Sequence, residues 1–335
     1  MTELVTRPHV ENFIDWSKER PEVVVVTADL TNSCEVGKWR DMYPERYVTA
    51  GMAEQNMLGV AAGLAREGFV PWLHTFAVFL YRRPYDQLAM SIAYPNLPVR
   101  LVGFLPGIAT PGGVSHQAIE DVAILRATPN MTILETGDAT EVESVLDVTE
   151  QVDGPVYIRM LRGVLPRLFP RSEPMRLGRA RELRSGDALL LISSGLMTEQ
   201  AMKACEVLAG RGVHVNHWHI STLKPFGDDA LFEAISRAKQ VVTMENHTIV
   251  GGLGSAVAEH VADNGLGTKV TRLGLRDTYA HGASTKYLMR EYELDSAALI
   301  RVVERELGLD LKVDRDELEA VSLVVRDSSV NAELL

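Results

Sequence analysis

Along the chain, short runs of β-branched and other apolar residues alternate with stretches whose apolar positions recur every three or four residues. That alternation is the signature of a parallel α/β sheet with crossover helices. The run VVVVTAD at 23–29 lacks polar alternation and predicts a strand buried on both faces. Before it, 9–20 predicts a helix ended by Pro21. The pattern then predicts helix over 54–67 closed by Gly68, extended chain over 70–80, helix over 83–94 and strand over 99–104. Strands at 131–135 and 156–161, with a helix at 141–150 between them, complete a first set.

From 162 to 186 the periodicity lapses into RGVLPRLFPRSEPMRLGRARELRSG, a composition suited to an inter-domain connection. Alternation resumes with strands expected at 188–193, 213–219, 240–244 and 269–273, and helices at 198–211, 228–237, 255–264 and 285–292. After Leu309 the chain is charged and weakly patterned. The expected layout is two consecutive parallel-sheet α/β domains, 1–165 and 187–309, with a linker at 166–186 and a C-terminal extension at 310–335.

Composition narrows the function. A length of 335 residues suits two domains. The net charge of -11 argues against a nucleic-acid surface, which needs a concentrated positive field. Cys34 and Cys205 are the only cysteines, so no disulfide framework is expected and a reducing cytoplasm fits. The start, MTELVTRPHVENF, has no apolar core of signal-peptide type, and no apolar run approaches the roughly 20 residues of a membrane span. The expectation is a soluble cytoplasmic protein with neither nucleic acid nor membrane as a partner.

Several segments carry chemistry. In YVTAGMAEQNMLGVAAGLAREG, 47–68, an acid, Glu54, begins an otherwise apolar helix, where an acid also complements the helix dipole. Gly59 and Gly63, one turn apart, permit close approach of another backbone. Together with TADLTNS (27–33), TFAVFLYRRPYDQ (75–87) and GGVSHQAIED (112–121), this stretch resembles the pyrimidine-binding domain of the transketolase family. STLKP (221–225) and ENHTIVGGLGSAV (245–257) resemble that family's C-terminal domain, so the likeness covers most of 23–294.

The resemblance implies thiamine diphosphate as cofactor. In the family a glutamate hydrogen-bonds the pyrimidine nitrogen and favours the imino tautomer that takes the thiazolium C2 proton; the matching residue is Glu54. Phe76 and Phe79 match aromatics that pack against the pyrimidine, and Asp29 and Leu30 match positions near the cofactor at a subunit junction. His116 matches a histidine that faces the substrate carbonyl and hydroxyls, with a near-neutral pKa suited to proton transfer. Arg162 matches an arginine that binds the substrate phosphate, and Arg82 and Arg83 are further phosphate candidates. Two departures concern substrate: Gly112 stands where the family usually has aspartate, and Phe104 where it has a histidine.

Three other features have plainer readings. Gly251, Gly252, Leu253 and Gly254 mimic a dinucleotide loop but lack its third glycine. His217 and His219 share a strand face without a third ligand nearby. Lys224 and Pro225 mark an element boundary.

The family's metal motif, Gly-Asp-Gly followed by an asparagine, is not in this sequence. The resemblance therefore implies that Mg²⁺ and the diphosphate are held by a partner, an N-terminal transketolase subunit, in an α₂β₂ assembly. The expected activity is two-carbon ketol transfer from a ketose (phosphate) to an aldose (phosphate). The alternatives are the β subunit of a 2-oxoacid dehydrogenase, disfavoured by TADLTNS and the SHQ order; a deoxyxylulose-phosphate synthase, normally one long chain; and a non-catalytic regulatory subunit of the same fold.

Overall fold

The computed structural model describes residues 3–314 and 317–318. Its first half runs β1 (Leu4–Thr6), α1 (Pro8–Ser17), β2 (Val23–Thr27), α2 (Gly37–Met42), β3 (Tyr47–Thr49), α3 (Glu54–Arg66), β4 (Val70–Phe76), β5 (Arg100–Phe104), α4 (Asp121–Ala127), β6 (Thr132–Glu135), α5 (Ala139–Thr149), β7 (Val156–Met160) and β8 (Val164–Pro166). The second half runs β9 (Ala180–Arg184), β10 (Leu190–Ser193), α6 (Met197–Gly210), β11 (Asn216–Ile220), β12 (Thr222–Lys224), α7 (Asp229–Arg237), β13 (Gln240–Thr248), α8 (Leu253–Asp263), β14 (Lys269–Leu275), α9 (Thr285–Glu291) and α10 (Ser296–Leu307).

Two large sheets result. The first has the order β12-β6-β7-β5-β4-β2-β3, parallel except for β12; the second has the order β14-β13-β10-β11-β9, parallel except for β9. All five residues of β2 are buried, as an unbroken valine run between helical layers requires. Asp138, Asp228 and Asp295 cap α5, α7 and α10 through backbone N–H bonds, which sets where those helices begin.

The structure differs from the pattern in several places. Residues 77–80 leave the strand as a 3₁₀ turn, and the helix expected over 83–94 is a π-helical segment at Gln87–Ala93. The stretch read as a linker contains β9, which pairs antiparallel with β11, so the second sheet begins inside it. Helices α2, α4 and α10 are not set apart by the pattern of apolar positions. The extension at 310–335 falls mostly outside the described residues. Most unexpectedly, β12 pairs with β6 of the first sheet.

The interface between the halves is polar and buried. Arg159 donates to Asp121 at 2.9 Å, to Glu135, and to the carbonyl of Asn246 at 2.9 Å. Glu141 accepts from Ser221 Oγ at 2.5 Å and from His219 Nε2 at 3.0 Å. From His219 a chain continues through Thr198 and Ser193 to His217. The two strand histidines are thus held by hydroxyls and a carboxylate, and the described residues contain no cluster of three side chains suited to a metal.

Behind the first sheet, His74 Nδ1 donates to the Trp72 carbonyl, since a carbonyl only accepts. Burial keeps both rings neutral, so its Nε2 accepts from His9 Nε2–H, 3.0 Å away. Phe104 ends β5 fully buried, its ring 5.7 Å from that of His9. It therefore fills the core.

Candidate active site

The candidate residues come from loops at the carboxyl ends of five parallel strands, where open α/β sheets place their ligands. Asp29 and Leu30 follow β2, Glu54 follows β3, Phe79 follows β4, His116 follows β5 and Arg162 follows β7.

Glu54 is the first residue of α3 and is 5% exposed. No side chain caps this helix; Ala53 bends in through an N–H bond to the Gly51 carbonyl at 2.7 Å. Both carboxylate oxygens accept from one guanidinium nitrogen of Arg83, each at 3.1 Å. The same guanidinium lies over the Phe79 ring, 4.8 Å from its centre. Residues 52–56 and Arg83 line an open cleft of about 490 Å³ at this point.

Phe76 and Phe79 stack with centroids 6.1 Å apart. His116 meets both rings edge-on, at 6.2 and 5.5 Å. Ser115 Oγ lies 2.9 Å from His116 Nδ1, a contact that sequence reasoning misses because a serine beside a histidine carries no spacing signal. Gly112 packs under the imidazole: a Cβ there would stand 2.7–2.9 Å from three atoms of His116. The missing aspartate thus has a steric counterpart, for the histidine fills the space a side chain at 112 would need.

Arg162 lies over Phe76, 5.6 Å from the centre of its ring, and donates to the Ser33 carbonyl. Burial lowers its pKa, against the pull of Cys34 and Glu35. Glu35, buried and in a left-handed conformation, accepts from the Gly163 N–H at 2.9 Å, and burial raises its pKa. Asp29, also left-handed, and Leu30 belong to the same loop as Ser33, the residue that Arg162 binds.

Arg82 and Arg83 diverge. Arg82 makes a two-pronged bond to Glu120 at 2.5 and 2.7 Å and donates to the carbonyls of Val114 and Gln117 at 2.8 and 3.0 Å. It clamps the His116 loop. Arg83 faces Glu54 instead. The structure therefore joins Glu54, Arg83, Phe79, Phe76, His116 and Arg162 into one continuous group.

The glycine run at 251–254 is also accounted for. The N–H groups of Leu253 and Gly254 at the start of α8 donate to Glu245 at 2.7 and 2.9 Å, so an internal carboxylate sits where a phosphate would.

Comparison with known proteins adds independent information. Residues 10–167 match the family model for the transketolase pyrimidine-binding domain, and residues 178–299 match that for the transketolase C-terminal domain. A 6-deoxy-6-sulfo-D-fructose transketolase subunit from a Clostridium species is 36% identical, over 88% of this chain and 91% of its own length. An apulose-4-phosphate transketolase subunit from Actinobacillus succinogenes is 31% identical, over 87% of this chain and 94% of its own. Among solved structures, a split-gene transketolase described as an inactive β₄ tetramer superposes with a TM-score of 0.82 at 34% identity, covering 90% of this chain and 97% of that one.

Proposed function

The chain belongs to the transketolase family, as a subunit that joins its pyrimidine-binding and C-terminal domains, and from that premise we propose that Glu54 serves the pyrimidine end of a thiamine-diphosphate site completed by a second polypeptide. The observation that carries this reading is the buried Glu54 carboxylate, linked to the Phe79 ring through the Arg83 guanidinium and opening on a cleft. These groups fit an aminopyrimidine in its imino form: an acceptor for the ring N–H of that tautomer and an aromatic face, whose offset stacking contributes about 1 kcal/mol beyond area burial. When bound, the cofactor supplies the nucleophilic carbon and the electron sink that cleavage beside a ketose carbonyl requires.

This chain's residues supply the rest. Glu54 accepts a hydrogen bond from the ring, and the first turn of α3 favours the charge it carries. Arg83 holds both Glu54 and Phe79 in the free chain, so binding at this place requires its guanidinium to swing aside. His116, edge-on to the two phenylalanines, moves protons at the substrate hydroxyls during two-carbon ketol transfer from a ketose (phosphate) to an aldose (phosphate). Arg162 attracts an anionic substrate terminus.

Among the described residues no group of three or more His, Cys, Asp or Glu side chains stands together. On the missing Gly-Asp-Gly motif, the proposal assigns the metal and the diphosphate to an N-terminal transketolase subunit, in an α₂β₂ assembly. Two features support a partner on this face. A Cβ at either Gly59 or Gly63 of α3 would meet nothing within 4 Å. Nearby, Met52, Met90 and Tyr94 are 81%, 59% and 78% exposed. The description of a solved relative as an inactive β₄ tetramer supports the same view.

The test is Glu54→Gln in the complex reconstituted with its partner. Ketol transfer is expected to fall by at least about a hundredfold with assembly intact. Activity within about threefold of the parent would refute the role of Glu54, and turnover by this chain alone would refute the shared site.

A further inference from the structure

The loop that carries His116 is closed at its base and backed by the other domain. Gly107 and Ala118 form an isolated antiparallel bridge, with the Gly107 N–H donating to the Ala118 carbonyl at 2.8 Å. Asn246, fully buried in β13, straddles Gly107: its Oδ1 accepts from the Ile108 N–H and its Nδ2 donates to the Pro106 carbonyl, both at 2.9 Å. One side-chain amide thus fixes the peptides on both sides of a single residue, as a neighbouring strand would.

The approach leaves no slack. Gly107 has φ +61°, and a Cβ there would lie 2.2 Å from Asn246 Oδ1 and 2.3 Å from its carbonyl oxygen. That carbonyl is itself held by Arg159 at 2.9 Å. Farther along the loop, the Gln117 amide donates to the His281 carbonyl at 3.3 Å, and Gly113 packs on Gly282. The His116 N–H in turn donates to the Gly113 carbonyl at 2.9 Å.

We propose that Asn246 is a positioning residue, through which the C-terminal domain sets the place of His116 without touching it. The catalytic meaning of this rests on the function proposed above for His116; the mechanical part does not.

Two measurements separate those parts. Hydrogen–deuterium exchange on the full chain should show at least about tenfold faster exchange across residues 108–117 in Asn246→Ala, with the strands of both sheets unchanged. Unchanged exchange in that loop would overturn the proposal, whatever the activity. In the reconstituted complex, Asn246→Ala should lower kcat about tenfold or more, but less than about threefold when His116 is already alanine. Equal losses in both backgrounds would make Asn246 a simple inter-domain tie and overturn its action through His116. Should the alanine variant fail to fold, Asn246→Asp carries the same tests, since it keeps an acceptor for Ile108 and loses the donor to Pro106. A parent complex indifferent to His116→Ala would count against the proposed function and leave the exchange result to decide on Asn246.

Discussion

Arg83 is the side chain whose role changes most between sequence and structure. Beside Arg82 it reads as one of two phosphate candidates, yet the pair diverge at the end of a 3₁₀ turn, Arg82 to Glu120 and Arg83 to Glu54. Removing the Arg83 guanidinium leaves Glu54 and Phe79 uncovered. Arg83→Ala is therefore expected to lower the half-saturating thiamine diphosphate of the reconstituted complex several-fold, as read by titrating activity against cofactor. Gly112 behaves likewise: a lost contact by its sequence, it is the space His116 occupies. Gly112→Ala should displace the imidazole and lower kcat about tenfold or more, with little change in melting temperature. Glu54, Phe79 and His116 are legible one by one because each sits in a recognisable segment. Their joining through Arg83 is not, since spacing along a chain does not say which way a loop side chain turns.

Among the elements, strands with continuous apolar runs are the easiest to read; β2 and β5 match the expected runs because burial on both faces confines their polar residues, Thr27 and Arg100, to the strand ends. The strands that the pattern misses are short or at sheet edges. β9 reads ARELR, without a fully buried residue, and forms because β11 offers an edge. β12 is three residues long, and only tertiary pairing with β6 defines it. β5 also carries a tight constraint: a Cβ on Gly103 would stand 2.9 Å from the Ala77 Cα and 3.0 Å from the Tyr157 ring. Gly103→Ala is expected to cost about 1–3 kcal/mol, measured by denaturant unfolding, because backbone is what must yield.

At the scale of the whole molecule, burial holds His9, His74, His217 and His247 neutral. It lowers His74 and His217 to about 3 and His247 to about 4, and lowers His9 as well, from an ordinary value of 6.5. A depressed folded-state pKa means the unfolded chain binds more protons, so this stability is present above about pH 6.5 and is lost as pH falls. His74, His217 and His247 should each withdraw about 2 kcal/mol by about pH 5, and His9 acts in the same direction. Glu245, Asp138 and Glu35 act oppositely: burial raises them, Glu245 to about 7 and Asp138 to about 6, so their contribution is present at low pH and is lost as pH rises through their folded-state values. The four histidines outnumber these three carboxyls, and unfolding midpoints in denaturant should fall between about pH 7 and about pH 5. A midpoint that rose over that range would show that the histidines are not held neutral.

The antiparallel pairing of β12 with β6 has a consequence for how such a gene can be divided. The two family matches leave 168–177 between them, which looks like a natural place for a break. A break there would strand the edge of the first sheet on one product and its covering strand on the other, along with Glu141 and Arg159 severed from Ser221, His219 and Asn246. Inheritance can shuffle the pair as a block, but recombination between the two halves would have to reinvent a sheet edge, re-partner the buried Glu141 and replace the acceptor Arg159 finds on Asn246 at one stroke.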